Sequence, residues 1–259
     1  MNSTTIRERL YKFYSAVQRV LAPGLINSQY AYREALTTYS PPGGTWLDLG
    51  CGHQLLPDWM PSSQEDEEEL LRKPQLFVGI DADAPSLRKN DLTRHLVAGN
   101  IEALPFCHEA FDLITANMVI EHVARPVDLL IEVNRTLKPG GKFLFHTPNK
   151  WGYTTLAARL LPQRAKVWLV RFLQGREEGD IFPTFYRMNS KAKIEELAQQ
   201  NGFEGAAVSF VESSAQTMML GPFVILELAF IRLLRWEILR GLRTNLIVVL
   251  RKPASSVRE

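Results

Sequence analysis

Between residues 45 and 147 the sequence alternates short apolar runs with amphipathic stretches, and this rhythm limits the folds open to the chain. Strands are predicted at residues 45–49, 75–80, 95–98, 113–116 and 142–147. All but the third are apolar runs, as expected for parallel strands covered by helices on both faces. The clearest helix, Pro126 to Leu137, is predicted to stop at the turn Lys138 to Gly141. This alternation predicts an α/β fold with a doubly wound, seven-stranded, mostly parallel sheet.

The flanking segments complete this organisation. The chain has 259 residues, of which 46% are hydrophobic, so it can bury one large core. Amphipathic helices are predicted before Pro41 and again at Ser190 to Gln200 and Pro222 to Arg240, with strands at Ala206 to Val211 and Thr244 to Leu250. We expect a single domain, divided into N-terminal helices at 1–40, a ligand-binding core at 41–149, helical insertions at 150–188 and 214–243, and the rest of the sheet at 189–213 and 244–259.

Composition narrows the function and the setting. The net charge of +2 and the lack of a dense basic cluster argue against a nucleic-acid partner. Residues 151–259 nevertheless hold 15 Lys and Arg against 10 Asp and Glu, which weakly favours an anionic partner. The two cysteines, Cys51 and Cys107, fit no disulfide framework, the five histidines show no metal-ligand spacing, and the N-terminus lacks the apolar segment of a signal peptide. We therefore expect a cytoplasmic protein without a metal site.

The glycine turn after the first strand carries the strongest local signal, Leu47-Asp-Leu-Gly-Cys-Gly52. A dinucleotide fingerprint would place a third glycine at position 55, which is Leu55, and the carboxylate of Asp48 would repel a phosphate. That carboxylate suits a cationic group such as the α-ammonium of an amino acid. Asp81 ends the second strand, where doubly wound folds bind ribose hydroxyls. A ribose and an ammonium group together describe S-adenosylmethionine.

Five motifs in order extend this interpretation: LDLGCG, VGID, GNIEALPF, FDLITANMVIEHV and LKPGGKFLFHTPN. With them, residues 45–149 resemble the class I S-adenosylmethionine-dependent methyltransferases, a Rossmann-like family, and within it the methyltransferase type 11 group that includes the enzymes of ubiquinone and menaquinone biosynthesis. A dinucleotide-dependent dehydrogenase is a distant alternative. A purely structural glycine turn is an alternative of low weight, because the motifs occur together and in sequence.

The resemblance also implies which residues hold the cofactor. The turn residues Asp48, Gly50, Cys51 and Gly52 line its methionine end, and Asp81 with its neighbour Ala82 holds the ribose. Asn100 and Ile101 flank the adenine, and Asn117 with Met118 lies beside the amino acid. Two positions depart from the family pattern, since Gln54 replaces the usual third glycine of the turn and Asn100 replaces an acid. Backbone amides at 54 and the amide of Asn100 can still serve, so we expect binding with altered affinity.

His122, in Glu121-His122-Val123, is the candidate catalytic residue because its imidazole can take a proton from an acceptor. The same dipeptide occurs in relatives with different substrates, so a capping or pocket-lining role carries about twice the weight. Transfer from a sulfonium mainly requires orientation of the acceptor and exclusion of water. A base is needed only for an acceptor that arrives protonated.

The insertions at 150–188 and 214–243 are expected to cover the acceptor site, because ligands of doubly wound sheets meet at the carboxyl ends of the strands. They are apolar and aromatic, which favours a small hydrophobic or lipid-like acceptor. Residues 218–231 contain one charge, Glu227, and are followed by four arginines expected to share one arc of a helix: Arg232, Arg235, Arg240 and Arg243. Two interpretations have equal weight, a buried lid and a helix at a membrane surface, which would make the protein peripheral there. The alternative function is a catalytically silent methyltransferase-like scaffold.

Overall fold

The computed structural model describes residues 3–160 and 183–254. Its seven strands are β1 Thr45–Leu49, β2 Leu76–Asp81, β3 Leu96–Ala98, β4 Phe111–Asn117, β5 Leu137–Pro148, β6 Ala206–Val211 and β7 Asn245–Arg251. Its α-helices are α1 Ser3–Leu21, α2 Ser28–Tyr39, α3 Ser63–Leu71, α4 Ala84–Leu87, α5 Pro126–Thr136, α6 Tyr153–Leu160, α7 Lys191–Gln200 and α8 Phe223–Leu233. Short 3-10 turns lie at Ile120–His122, Met218–Leu220 and Glu237–Leu242.

The strands form one mixed, mostly parallel sheet in the order β3-β2-β1-β4-β5-β7-β6. The predicted doubly wound α/β fold is confirmed, and the strand order reverses at β1, which pairs in parallel with both β2 and β4. Most residues of β1, β2 and β4 are buried, in agreement with the apolar runs that predicted strands covered on both faces. The carboxyl ends of β1, β2 and β4 therefore form the crevice where this fold binds ligands.

The chain divides into two compact units, which we name by content. The sheet unit comprises Gln29–Pro148, Thr184–Ser209 and Leu246–Glu259, and contains β1 to β5 with most of β6 and β7. The helical unit comprises Met1–Ser28, Asn149–Pro183 and Phe210–Asn245. Its core joins Tyr14, Ala22 and Leu25 of the N-terminal segment to Val224, Leu228 and Ile231 of α8. The predicted single-domain organisation stays a prediction.

The helix stop predicted before Lys138 is confirmed, because α5 ends at Thr136. The tight turn predicted at Lys138 to Gly141 is wrong, because this stretch opens β5. Lys138 donates to the Asp112 carboxylate at 2.7 Å, and the Gly140 N–H donates to the Lys252 carbonyl at 3.1 Å. These contacts with neighbouring segments extend the strand backwards over residues whose local sequence favours a turn.

The helix predicted from Pro222 to Arg240 is also shorter than expected, because α8 ends at Leu233. The four arginines therefore do not share one helical arc. Arg235 donates to the Pro23 carbonyl, Arg240 pairs with Glu237 at 3.0 Å, and Arg243 donates to the Leu234 carbonyl at 3.0 Å. Arg232 alone of the four lies on α8. Residues 161–182 of the insertion predicted at 150–188 lie outside the described residues.

None of the helices formed by the described residues has the length and apolarity needed to cross a bilayer.

Candidate functional site

The glycine turn lies where β1 ends, and its backbone is held by β2. The Gly50 N–H donates to the Ile80 carbonyl at 2.7 Å, and the Gly52 N–H donates to Asp81 Oδ2 at 2.8 Å. Gly50 has a φ of +65° and Gly52 a φ of +49°, a region that side chains strongly disfavour. A Cβ at Gly50 would also collide with Val119. The turn therefore requires glycine at position 50 for both conformation and space.

The turn is not followed by a helix, although the strand-and-helix rhythm predicted one. Irregular chain runs from Cys51 to Ser62 before α3 begins. Glu67 of α3 holds this loop by accepting the N–H groups of Leu55 and Leu56 at 2.7 and 2.6 Å. The acidic run Glu65 to Glu69 lies within α3, and in this run Glu67 is buried, and burial raises its pKa. The glycine turn thus lacks the helix N-terminus that stabilises a bound pyrophosphate in dinucleotide sites.

Asp48 lies inside the sheet, directly opposite Thr115 in the β1–β4 register, and is only 4% exposed. The indole Nε1–H of Trp46 donates to Thr115 Oγ1 at 2.7 Å, and the Thr115 hydroxyl donates to Asp48 Oδ1 at 2.6 Å. Burial raises the pKa of Asp48 to about 7, the Thr115 hydrogen bond lowers it in part, and the charges of Asp81 and Glu67 raise it further. A nearby cation would lower this pKa and stabilise the carboxylate.

Asp81, the last residue of β2, uses both carboxylate oxygens to shape the same edge. Oδ2 accepts the Gly52 N–H, and Oδ1 accepts the Asp83 N–H at 2.8 Å. Each oxygen keeps a further lone pair, so a carboxylate fixed in this way can still accept a hydroxyl hydrogen bond. The described geometry suits the predicted contact with ribose hydroxyls.

Asp48, Glu67 and Asp81 together make this edge of the sheet acidic. A pyrophosphate would meet carboxylates and no helix N-terminus, so the structure agrees with the argument against a dinucleotide. The same donor and acceptor set fits S-adenosylmethionine, which carries a sulfonium and an ammonium group beside a ribose.

At the end of β4, the backbone of Met118 is strained, and both Asn117 and Met118 are hydrogen-bonded to neighbouring elements. Met118 has a φ of +57°, rare for a side chain of its size, and its N–H donates to the His146 carbonyl at 2.8 Å. Asn117 Nδ2 donates to Gln29 Oε1 at 3.0 Å, and Asn117 Oδ1 lies 2.9 Å from His146 Nδ1. The predicted pair is therefore placed beside α2 and β5.

His146 and Tyr32 were not predicted as site residues, yet the structure places both at this edge. His146 is fully buried, and burial lowers its pKa to about 3, so the ring is neutral. It stacks on Tyr32 with ring centroids 5.6 Å apart. The Tyr32 hydroxyl is buried without a hydrogen-bond partner among the described residues. Burial, and secondly the charge of Asp48, raise the Tyr32 pKa. The helical spacing of α2 could have indicated an inward Tyr32, but not its neighbours.

His122 lies in the 3-10 turn Ile120–His122, just after β4, and about a third of its side chain is exposed. Its Nε2 is 3.9 Å from Glu121 Oε1. Glu121 is buried and accepts the Thr147 hydroxyl at 3.1 Å, while its carbonyl accepts the Phe185 N–H at 2.7 Å. Sequence reasoning missed the buried Glu121, which fixes the turn that carries His122.

The other predicted cofactor residues are less closely tied to the glycine turn. Asn100 and Ile101 follow β3, and the Asn100 side chain accepts the Glu102 N–H at 2.9 Å. Ala82 is exposed beside Asp81. Cys51 is buried, and burial raises the pKa of its thiol, so it contributes packing and backbone groups and no thiolate. Within residues 3–160 and 183–254, no group of three or more His, Cys, Asp or Glu side chains could hold a metal ion.

Comparisons with known proteins agree with this geometry. The family profile described as a methyltransferase domain matches residues 25–208. The chain is 27% identical over 245 residues to a demethylmenaquinone methyltransferase of Symbiobacterium thermophilum, covering 84% of this chain and 88% of that protein. It is 34% identical over 168 residues to a ubiquinone biosynthesis O-methyltransferase of Roseobacter denitrificans, covering 61% of this chain and 59% of that protein.

The fold has solved counterparts. A crystal structure of an S-adenosylmethionine dependent methyltransferase from Mesorhizobium loti superposes with a TM-score of 0.54 at 16% identity, covering 85% of this chain and 96% of that one. At this identity the likeness supports the fold, while the family rests on the sequence match.

Proposed function

The chain belongs to the methyltransferase domain family, and from that premise we propose that it methylates a small hydrophobic or lipid-like acceptor in the cytoplasm. Its cofactor is S-adenosylmethionine, and its fold is that of the family. The observation that supports the proposed site is the acidic glycine turn, where Asp48 and Asp81 flank Gly50 and Gly52 without a helix N-terminus. This combination disfavours phosphate and favours a cationic adenosyl amino acid.

We assign the cofactor residues as follows. Asp48 attracts the ammonium group, with Cys51 supplying packing in the glycine turn. Asp81 accepts from the ribose hydroxyls, with Ala82 beside it. Asn100 and Ile101 flank the adenine, and Asn117 with Met118 borders the amino acid end. The buried Tyr32 and the neutral His146 stack on each other beside Asn117 and carry no charge that would repel the cofactor.

The chemistry supplied by the bound cofactor is an activated methyl group on a positively charged sulfur. The residues of this chain then have to orient the acceptor and exclude water. His122, held after β4 by the buried Glu121, is the proposed general base for an acceptor hydroxyl that arrives protonated. The imidazole would take the proton of the acceptor hydroxyl as the carbon–oxygen bond forms and the methyl carbon–sulfur bond breaks, which would leave the sulfur as a neutral thioether.

The nature of the acceptor rests on the relatives and on composition. The names of the two relatives above refer to quinones, and the matches cover 84% and 61% of this chain. The insertions at 150–188 and 214–243 are rich in apolar and aromatic side chains. We therefore propose an acceptor with an apolar body and a nucleophilic oxygen, and no nucleic acid.

Isothermal titration calorimetry tests the cofactor assignments. S-adenosylmethionine or its demethylated product should bind in the micromolar range, with no comparable binding of NAD. Asp81→Ala should weaken the binding by roughly 1–3 kcal/mol, because buried hydroxyls lose a charged acceptor. Asp91→Ala removes an equal charge from an exposed position and should leave the affinity unchanged. NAD binding more tightly than the sulfonium cofactor would contradict the proposal.

Isotopically labelled cofactor tests the acceptor. The protein is incubated with lipid extracts and with polar metabolite extracts, and the label is followed by mass spectrometry. We expect label in the lipid fraction, on oxygen, and label only in polar metabolites would refute the proposed acceptor class. With the acceptor known, His122→Asn should bind cofactor normally but lose the rise of turnover with pH that a general base produces. An unaltered pH profile removes His122 from catalysis.

A further inference from the structure

Helix α8 of the helical unit carries apolar side chains on two opposite faces. Val224, Leu228 and Ile231 are buried in the core of the unit, against Tyr14 and Leu25. The opposite side is exposed and consists of Phe223, Ile225, Leu226, Ala229, Phe230 and Leu233. Leu226 is 71% exposed and Phe223 64%. Exposed apolar side chains grouped in this way on one helix mark an interaction surface.

The apolar stretch continues past the end of the helix. Trp236, just before the 3-10 turn Glu237–Leu242, is 63% exposed, and Ile238, within that turn, is 89% exposed. We name the six exposed residues of α8, together with Trp236 and Ile238, the α8 face. A tryptophan at the margin of an apolar surface is typical of segments that lie at the boundary of water and lipid.

The acid of α8 is turned away from this face. Glu227 Oε1 accepts the Tyr153 hydroxyl at 2.7 Å and the Gln216 N–H at 2.8 Å, and Oε2 accepts the Thr217 N–H at 2.7 Å. Within α8, the charge left on the outside is therefore Arg232, which is exposed. The α8 face thus combines apolar side chains with the positive charge of Arg232. The exposed Glu237, between Trp236 and Ile238, pairs with Arg240 at 3.0 Å and Arg243 at 3.3 Å.

The net charge of the helical unit indicates what kind of partner would bind the α8 face. Its sequence contains 14 Lys and Arg against 7 Asp and Glu, a net charge of +7, whereas the sheet unit contains 16 against 21, a net charge of −5. A second copy of this chain would present the same positive unit and be repelled. An anionic bilayer supplies both an apolar phase for the α8 face and negative charge that attracts the net positive charge of the helical unit.

We propose that the α8 face docks the protein on the surface of an anionic lipid bilayer, without crossing it. Docking goes beyond the methyl transfer proposed above and does not rest on it. The buried side of α8 remains in the core of the helical unit, while Phe223, Leu226 and Trp236 insert among the lipid headgroups and Arg232 remains at headgroup level.

Flotation with vesicles tests docking without any reaction. The wild-type protein should float with phosphatidylcholine vesicles that contain phosphatidylglycerol, float much less with phosphatidylcholine alone, and lose binding as salt is raised. Leu226→Asp should lower the partition coefficient by about thirtyfold, since a charge replaces an inserted apolar side chain. Arg232→Glu should lower it by about tenfold at low salt, with a smaller effect at high salt.

Matched variants in the sheet unit serve as controls. Ile131→Asp changes an apolar side chain that is 51% exposed on α5, and Arg72→Glu reverses an exposed charge, so both should float like the wild type. Thermal unfolding verifies that each variant is folded. Absence of wild-type flotation on anionic vesicles at low salt would overturn the proposal, as would unchanged flotation of Leu226→Asp. A dimer in sedimentation that Leu226→Asp dissolves, without vesicle binding, would show self-association instead.

Discussion

Each of the two units contains a carboxyl group whose pKa is raised to about 7, the buried Asp48 and the half-buried Glu212, and the two groups differ in their neighbours. Asp48 of the sheet unit is held by Thr115 and lies beside the acids Asp81 and Glu67. Glu212 of the helical unit accepts the Thr244 N–H at 3.2 Å, and the charge of Arg243 lowers its pKa in part, while the charge of Glu227 raises it. Burial is the main cause in both cases.

This difference suggests different roles: the Asp48 carboxylate is available to a cationic ligand, whereas the Glu212 carboxylate already has a cationic neighbour in the fold. Asp48 has acidic neighbours, so its carboxylate gains a cationic partner only when a ligand binds. Glu212 already has a neighbouring arginine, and its Oε2 is buried without a hydrogen-bond partner among the described residues. We therefore expect removal of either charge to raise stability at pH 8, by more at Asp48 than at Glu212, and only removal of the Asp48 charge to weaken cofactor binding.

The largest effect on the free energy of unfolding is expected from a substitution of Gly50, the glycine that the turn after β1 requires. Gly50→Val should destabilise the fold by about 4 kcal/mol, because it adds left-handed strain to a collision with Val119. Cofactor binding should be lost as well. Gly241 in the helical unit has open space around its Cα and no left-handed φ, so Gly241→Ala should change little. Urea unfolding and calorimetry check both variants, and a stable, cofactor-binding Gly50→Val would show that the turn is adaptable.

The next effect is that of Asp48→Asn, which should act in opposite directions on stability and binding. The folded-state pKa of Asp48 is raised from 3.8 to about 7, so its contribution to stability is full at low pH and is lost as pH rises through that interval. At pH 8 the variant should be more stable than the wild type by roughly 2–3 kcal/mol, since the charge is removed and the Thr115 hydrogen bond has an acceptor.

Cofactor affinity should fall in the same Asp48→Asn variant, because the amide cannot attract the ammonium group. Unfolding measured from pH 4 to pH 8 should show the two proteins converging at the acidic end. A variant that binds the cofactor as tightly as the wild type would show that Asp48 serves the fold alone, and the comparison with Glu212 would disappear.

The smallest effect is expected from Glu212→Gln. Its pKa is also raised, so the wild-type charge again costs stability as pH rises towards 7, but Arg243 offsets part of that cost. The variant should gain about 1 kcal/mol at pH 8, since an amide can fill the position of the unpaired oxygen without a charge. Its cofactor affinity should equal that of the wild type. A loss of cofactor binding would mean that the acid of the helical unit also serves the site.

Much of the sheet unit could be predicted from sequence because its signals are local. Strands β1 and β6 agree with the prediction to the residue, and β2, β3, β4 and β7 agree within about two residues at each end, because apolar runs between turns specify buried strands. Strand β5 begins at Leu137, earlier than the predicted start at Lys142. The motif residues that end β1, β2 and β4 meet at one edge simply because parallel strands place their carboxyl ends together. Asp48 and Asp81 could therefore be assigned to one site before any coordinates.

Contacts between distant residues could not be predicted in the same way. The role of Glu67 in holding Leu55 and Leu56, and the stacking of Tyr32 on His146, join segments whose sequences carry no mutual signal. Helix α8 shows the same limit. The apolar periodicity predicts a helix to Arg240, but α8 ends at Leu233. Beyond that point Arg235 donates to the Pro23 carbonyl and Arg243 to the Leu234 carbonyl, and these contacts cannot be read from the periodicity.

The sequence by itself determined the doubly wound sheet, the methyltransferase family and the acidic glycine turn, because each depends on spacing along a short stretch of chain. Only the tertiary structure decided which apolar side of α8 is buried and which is exposed. Both sides have similar hydrophobicity, so the pattern cannot rank them. The choice follows from packing, because Tyr14 and Leu25 cover one side while Tyr153 and Thr217 draw the charge of Glu227 inward.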